Sequence, residues 1–205
     1  MTDSTQTIPG TDNLPLVLAS SSPYRRALLE KLHIPFVCVS PNINEQALAS
    51  ESPTTLVKRL ALEKAQAVAR QHPDSWIIGS DQVAVLDGEI ITKPRNHQQA
   101  HSQLRRASGQ TITFVTGLCL YNRNKRKHQS IAEPFQVEFL ELSDDQIENY
   151  LQKEKPYDCA GSFKSEGLGI ALLAKFQGKD PNCLIGLPLI QLVALLRQEG
   201  IEPLV

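Results

Sequence analysis

An apolar segment that stops at a serine-proline step tells a chain to leave a sheet and begin a helix, and this sequence takes that step first in LVLASSSPYRR, residues 16–26. Leu14 to Ala19 fits a buried strand. Ser22 then offers an N-cap hydroxyl and Pro23 suits the first helical position, which predicts a helix to about His33. The step recurs after a second apolar segment, Phe36 to Val39, and a turn-rich loop, PNINEQALASES. There Ser52-Pro53 opens a helix to about Gln71.

Beyond that point strands and helices mix without strict alternation. Trp76 to Leu86 reads as a strand interrupted at Gly79-Ser80-Asp81. Asp87-Gly88 is a hairpin turn signal before a return strand, Glu89 to Thr92. A helix is expected from Asn96 to Ala107, then strands over Thr111–Tyr121 and Ile131–Leu140 on either side of the basic turn NRNKRKH. Ser143 caps a helix to about Lys153. A glycine-punctuated loop, GSFKSEGLG, precedes an apolar helix from Pro188 to Gln198. The pattern predicts an α/β fold with a mixed sheet and flanking helices, not a regular parallel doubly wound one. Neither a repeat nor a linker divides residues 14–205, which read as one domain; the polar opening, residues 1–13, reads as a disordered tail.

Composition narrows the function classes. With 41% hydrophobic residues over 205 positions, a sizeable core is expected, as one body or as two lobes sharing a cleft. A net charge of -1 argues against a nucleic-acid or membrane surface, since phosphate-tracking proteins carry a positive excess. Cys38, Cys119, Cys159 and Cys183 lie far apart with no CxxC spacing, so neither zinc nor a disulfide framework is suggested, and a reduced cytoplasmic setting is the simplest. The opening lacks a secretory pattern, and no apolar run reaches the length of a membrane span.

Within this frame a few residues stand out. A strand that delivers the chain to a helix start makes an anion site, because the first backbone N–H groups and the helix dipole favour negative charge; Ser20 and Ser22 add hydroxyls. Arg25 lies three and four positions before Leu28 and Leu29 on the buried stripe, while Arg26 shares a face with Glu30 and His33, so Arg25 is the better ligand candidate. The competing reading is an ordinary capped helix. In the next helix Val57, Leu60, Ala61 and Val68 form an apolar stripe, and Lys64 falls on it. An inward ammonium needs an anionic partner unless it snorkels to solvent; Lys58, Arg59 and Arg70 carry no such signal. Asp81 interrupts an apolar strand on the face of Ile77, Val83 and Val85, where a carboxylate needs a metal, a cation or a catalytic task. Gln82 should point the other way, unless a bend near Gly79 breaks the alternation. Lys93, Glu45 and Glu166 are weak alone. Together these groups form an inventory for metal-assisted attack on a polyphosphate. His97 and His101 have zinc-like spacing but read as a solvated helix face, and RNKRKH reads as a basic hairpin tip.

The pieces LASSSPYRRALLEKL, the NE of PNINE, EKA at Glu63 to Ala65, IIGSDQV, KP at Lys93 and GSFKSEG, in this order and spacing, resemble the Maf family of nucleoside triphosphate pyrophosphatases from Leu16 to about Pro203. GSDQ followed by SFKSEG is similar to the branch that hydrolyses 7-methyl-GTP. The branch acting on dTTP and UTP, which has Arg after the SP, Thr after the Asp and Gln in the later loop, is the alternative, and a non-catalytic nucleotide-binding regulator of division is another. The resemblance implies a two-lobed α/β fold of the inosine triphosphatase type with a cleft, a divalent cation (Mg²⁺ or Mn²⁺), a small-molecule nucleotide substrate and a homodimer. It also implies Asp81 as proton acceptor, Tyr24, Gln82 and Glu166 at the base, and Ser20, Arg25, Glu45, Lys64 and Lys93 on the phosphate and metal side. Three positions depart from the branch's pattern: Tyr24 stands where Trp is usual, Asn44 where an acid is usual, and Thr92 where Gly is usual.

Overall fold

The computed structural model describes residues 16–205; the expected tail over 1–13, and Leu14 and Pro15 of the expected first strand, lie outside the described residues. Both serine-proline steps act as helix starts. β1 (Leu16–Ala19) leads into α1 (Pro23–Glu30), where the Ser22 side chain accepts from the Arg25 amide. After β2 (Phe36–Cys38), α2 (Pro53–Ala69) begins with Ser52 accepting from the Thr55 amide. β3 (Ile77–Leu86) and β4 (Glu89–Ile91) meet at the Asp87-Gly88 turn, where φ values of 52° and 78° are the left-handed pair a tight hairpin demands. α3 (His97–Ala107), β5 (Thr111–Asn122), β6 (Lys127–Phe139) and α4 (Asp144–Glu154) follow, then β7 (Leu173–Gly178) and α5 (Leu189–Gln198). β7 and the short 3-10 turns at Ala160–Ser162, Leu168–Leu172 and Pro181–Ile185 are additions to the expected elements.

Among the described residues the strands form one seven-stranded mixed sheet in the order β2-β1-β3-β5-β6-β7, with β4 paired to β3. β1 runs parallel to β2 and β3, and the rest pair antiparallel. The expected α/β class with a mixed sheet and flanking helices is what the chain adopts. β5 covers one edge of β3 continuously from Ile77 to Val85. The opposite edge is shared: β1 covers Ile77 to Gly79 and β4 covers Ala84 to Leu86, so Ser80 to Val83 lie open between them. That gap, beyond the C-terminal end of a parallel strand, is where an α/β sheet most readily admits a ligand.

The core falls on either side of the gap. On one sheet face, Leu18, Leu28, Ile78, Leu118 and Leu192 gather α1 and α5 into one lobe. Phe114, Phe135, Leu104 and Ile147 gather α3 and α4 into the other. α2 lies across the opposite face, burying Val57, Leu60, Ala61, Ala65 and Val68 as its stripe predicts. It lies very close to the sheet because two glycines let it. A Cβ on Gly79 would stand 2.0 Å from the Ala61 carbonyl oxygen, and one on Gly117 would stand 2.1 Å from that of Val57. Gly79 therefore serves close approach, not the bend the interruption suggested; β3 keeps an unbroken register with β5 through it.

Candidate active site

Close approach of α2 decides where Lys64 goes. It lies one turn beyond Leu60 and Ala61 on the buried stripe, and it is itself 5% exposed. Gly117 is the direct cross-strand partner of Asp81, so the helix backbone settles beside that carboxylate. The Lys64 Nζ donates to Asp81 Oδ1 at 2.6 Å and meets Glu45 Oε1 at 2.7 Å. Asp81 is 7% exposed, whereas the Glu45 side chain is 58% exposed at the mouth. One ammonium thus joins a floor carboxylate and a rim carboxylate, and among the described residues Asp81 Oδ2 takes no hydrogen bond from the protein.

The surrounding charge is positive. Burial raises the Glu45 carboxyl, but the Lys64 hydrogen bond and charge, with Lys93 and Arg25, outweigh it and hold Glu45 below the ordinary value of 4.5. Lys93 is exposed and, among the described residues, makes no ion pair. Thr92 needs no glycine in its place, since its φ is not positive, and Asn44 uses its side chain to accept from the Gln46 amide at 3.0 Å.

Arg25 reaches the same locus by another route. Its Nε donates to the Gly186 carbonyl at 2.8 Å and its Nη1 to the Ser80 carbonyl, in the sheet gap, at 3.0 Å. Burial lowers its pKa, opposed by the charges of Asp81 and Glu45. Two of its five donors are therefore spent clamping the Gly186 turn to β3, leaving Nη2 for a ligand. Ser80 Oγ reinforces that clamp by donating to the Gly117 and Gly186 carbonyls. At the start of α1, Ser20 Oγ accepts from the Ser22 amide and Ser22 Oγ from the Arg25 amide, so both hydroxyls shape the turn as acceptors and keep their protons for a guest.

Tyr24, next to Arg25, faces a second group. The Lys164 ammonium stands 5.8 Å from the Tyr24 ring centroid. Burial raises the Tyr24 hydroxyl pKa, followed by the charge of Asp158, with Glu166 adding to it and Lys164 opposing. Glu166 is exposed on that loop. Gln82 goes elsewhere: with β3 unbroken it projects from the face opposite Asp81, where its amide nitrogen donates to Thr116 Oγ1 at 3.2 Å and to the Cys183 carbonyl. The two neighbours do not share one face of a pocket. His97 and His101 lie apart from this locus, His97 between Tyr157 and Glu148.

One contributor, Arg59, carried no signal in the sequence. Arg59 grips Glu51 with Nε and Nη2, both at 2.7 Å, and Nη2 also donates to the Gln46 carbonyl at 3.1 Å. The pairing holds the Glu51 carboxyl down at about 2, first through the Arg59 hydrogen bonds and then the Leu48 amide. Arg59 thereby ties the loop behind Glu45 to α2, and only its contact with Glu51 in space, across eight residues of sequence, marks it.

The donors suit a hard divalent ion. Glu45 and Asp81 aim carboxylate oxygens at one point, now neutralised by an ammonium, which is the oxygen chemistry of Mg²⁺ or Mn²⁺ with substrate phosphates completing the shell. Among the described residues no group of three or more His, Cys, Asp or Glu gathers, so these two carboxylates are the protein oxygens such an ion would find here.

A family model described as Maf-like protein matches residues 15–199. A relative from Colwellia psychrerythraea, named 7-methyl-GTP pyrophosphatase, is 57% identical over 189 residues, covering 92% of this chain and 94% of that protein. Another of the same name, from Nitrosococcus oceani, is 56% identical over 185 residues, 90% of this chain and 93% of that one. Among solved structures, that of the Staphylococcus aureus Ham1 protein superposes with a TM-score of 0.51 at 13% identity, covering 90% of this chain and 99% of that one, a likeness of fold.

Proposed function

This chain belongs to the Maf-like family, and from that premise we propose that it is a pyrophosphatase that hydrolyses 7-methyl-GTP to 7-methyl-GMP and pyrophosphate. The observation that carries the reading is the meeting of Lys64 with Asp81 and Glu45 beside the open stretch of β3, with Arg25 and Lys93 acting on the same carboxylate.

The triphosphate lies along the cations, its α-phosphoryl group toward Asp81. Asp81 Oδ2 orients a water and takes its proton as the water oxygen bonds to the α-phosphorus; the bond from that phosphorus to the bridging oxygen breaks, and pyrophosphate leaves with the electron pair. Lys64 holds Asp81 Oδ1 and Glu45 in place and turns its remaining N–H toward phosphate oxygens. Lys93 and the Arg25 Nη2 meet charge on the leaving group, and the Ser20 and Ser22 hydroxyls donate to non-bridging oxygens. Glu45 and Asp81 would hold a divalent cation, which would further neutralise the triphosphate.

At the other end, a 7-methylguanine ring is cationic and gains from an aromatic face with carboxylates nearby. Tyr24, Asp158 and Glu166 offer that combination. The two donors on the Watson–Crick edge of the ring match one two-oxygen carboxylate, the part Glu166 takes in this reading. Gln82 contributes through its amide on the far face of β3, fixing the Cys183 turn.

Hydrolysis in heavy-oxygen water tests the scheme. Attack at the α-phosphorus puts the label in the monophosphate; label in the pyrophosphate would mean that the water attacks elsewhere and that Asp81 does not face the reacting atom.

A further inference from the structure

Lys164 is not needed by the reaction just described, yet its side chain is held between two unlike partners. Its backbone amide donates to the Tyr150 hydroxyl at 3.1 Å, and Tyr150 is buried in α4, so the loop is fixed at that point. The ammonium then stands over the Tyr24 ring at 5.8 Å and, on its other side, 3.5 Å from Glu154 Oε2 at the end of α4. That separation is longer than a good charge-assisted hydrogen bond. Glu154 Oε2 is shielded from solvent and has no hydrogen-bond partner among the described residues. It lies beneath the Gly167 backbone, where a Cβ would come within 2.3 Å of it. An acceptor has thus been left short of the donor beside it, while that donor covers an aromatic face.

We propose that the Lys164–Glu154 pair sets the selectivity for ring charge at the base end of the site, with the Lys164 ammonium occupying the Tyr24 face as a surrogate cation that a positively charged base replaces and a neutral base does not. The inference rests on the 7-methyl-GTP reading above. When a ring stacks on Tyr24, the ammonium withdraws and closes onto Glu154 Oε2. The negative charges of Asp158 and Glu166, which act on Tyr24, then lose that counter-charge. A cationic ring restores the charge that Lys164 carried away; a neutral ring leaves the carboxylates uncompensated. Tyr24 itself is a weaker cation partner than tryptophan, so the surrounding charge weighs more heavily in the choice.

The test compares kcat/KM for 7-methyl-GTP and GTP, two substrates that differ in ring charge and share every phosphate contact. Taking their ratio cancels any general effect of surface charge on polyphosphate binding. Lys164→Met removes a positive charge that, closed onto Glu154, still stands beside the bound ring and opposes a cationic one, so it should raise the ratio about three- to tenfold, chiefly through KM. Glu154→Gln removes the negative charge and should lower it by a similar factor. Opposite movements of the ratio support the pair as the selector. An unchanged ratio in both variants, or equal losses on both nucleotides such as a hydrogen bond to a shared guanine atom would give, overturns it. Lys164→Gln gives a second neutral side chain in case Lys164→Met does not fold. If the unsubstituted chain cleaves neither nucleotide, the functional reading itself fails; if it prefers the methylated one and the ratio ignores residues 154 and 164, only this inference does.

Discussion

At the scale of single residues, the site is a carboxylate pair sharing one ammonium. Glu45 has a depressed native pKa, so its contribution to stability is present above its unfolded value of 4.5 and is lost as pH falls through the lower native value. Chemical denaturation of the native chain and Glu45→Gln should therefore differ above about pH 5 and converge in acid; a gap that widens toward acid would reverse the sign. The gap should be small, because Glu45 is largely exposed and solvent screens the pair. Asp81 and Lys64 were legible from sequence for one reason: each is a charge on an apolar stripe of known period. Gln82 points away from Asp81 as strand alternation requires; whether a bend would break that alternation stayed open in the sequence because the glycine at position 79 suits a bend or a close approach, and the carbonyl of Ala61 that decides between them lies 18 residues away. Lys164 and Glu154 carry no periodic signal, and their pairing exists only in space.

At the scale of elements, α2 is the part that carries the chemistry to the sheet. Gly117→Ala would drive a methyl group into the Val57 carbonyl, and overpacking of this kind costs about 1–3 kcal/mol. Since the helix that moves also bears Lys64, pyrophosphate release should fall by more than the fraction unfolded explains; activity that tracks stability alone would remove α2 as the positioning element. Arg59 does the same service for the loop behind Glu45. Arg59→Met should speed proteolytic cleavage within residues 44–51 and lower turnover about tenfold with the melting temperature nearly unmoved. An unaltered cleavage rate would show that the loop orders itself. Helix starts at Ser22 and Ser52, the Asp87-Gly88 turn and the Ser143 cap were all readable, because each is a local device fixed by two or three residues. β7 was not readable. It is a largely exposed edge strand whose pairing to β6 is set from outside its own sequence.

At the scale of the molecule, the candidate site lies at a break in a sheet edge. β1 and β4 divide one side of β3 between them, and two lobes built on separate apolar clusters flank the opening. Among the described residues no helix is long and apolar enough to cross a membrane. A nucleotide that touches α1, α2 and the loop after α4 at once ties both lobes together. A non-hydrolysable 7-methyl-GTP analogue with Mg²⁺, at about a hundred times its Kd, should stabilise the fold by about 2.7 kcal/mol, and chelating the cation should remove most of that gain. Stabilisation that survives chelation unchanged would show that Glu45 and Asp81 do not hold a cation for the substrate. The most direct measurement of the central claim is product release from 7-methyl-GTP, GTP, UTP and dTTP by the native chain and by Asp81→Asn. The arrangement of Lys64, Asp81 and Glu45 predicts one pyrophosphate and one monophosphate per turnover, highest kcat/KM with 7-methyl-GTP, and a loss of about 10²–10⁴ in the folded Asp81→Asn chain. Near-native turnover by that variant, or orthophosphate as the product, would contradict it.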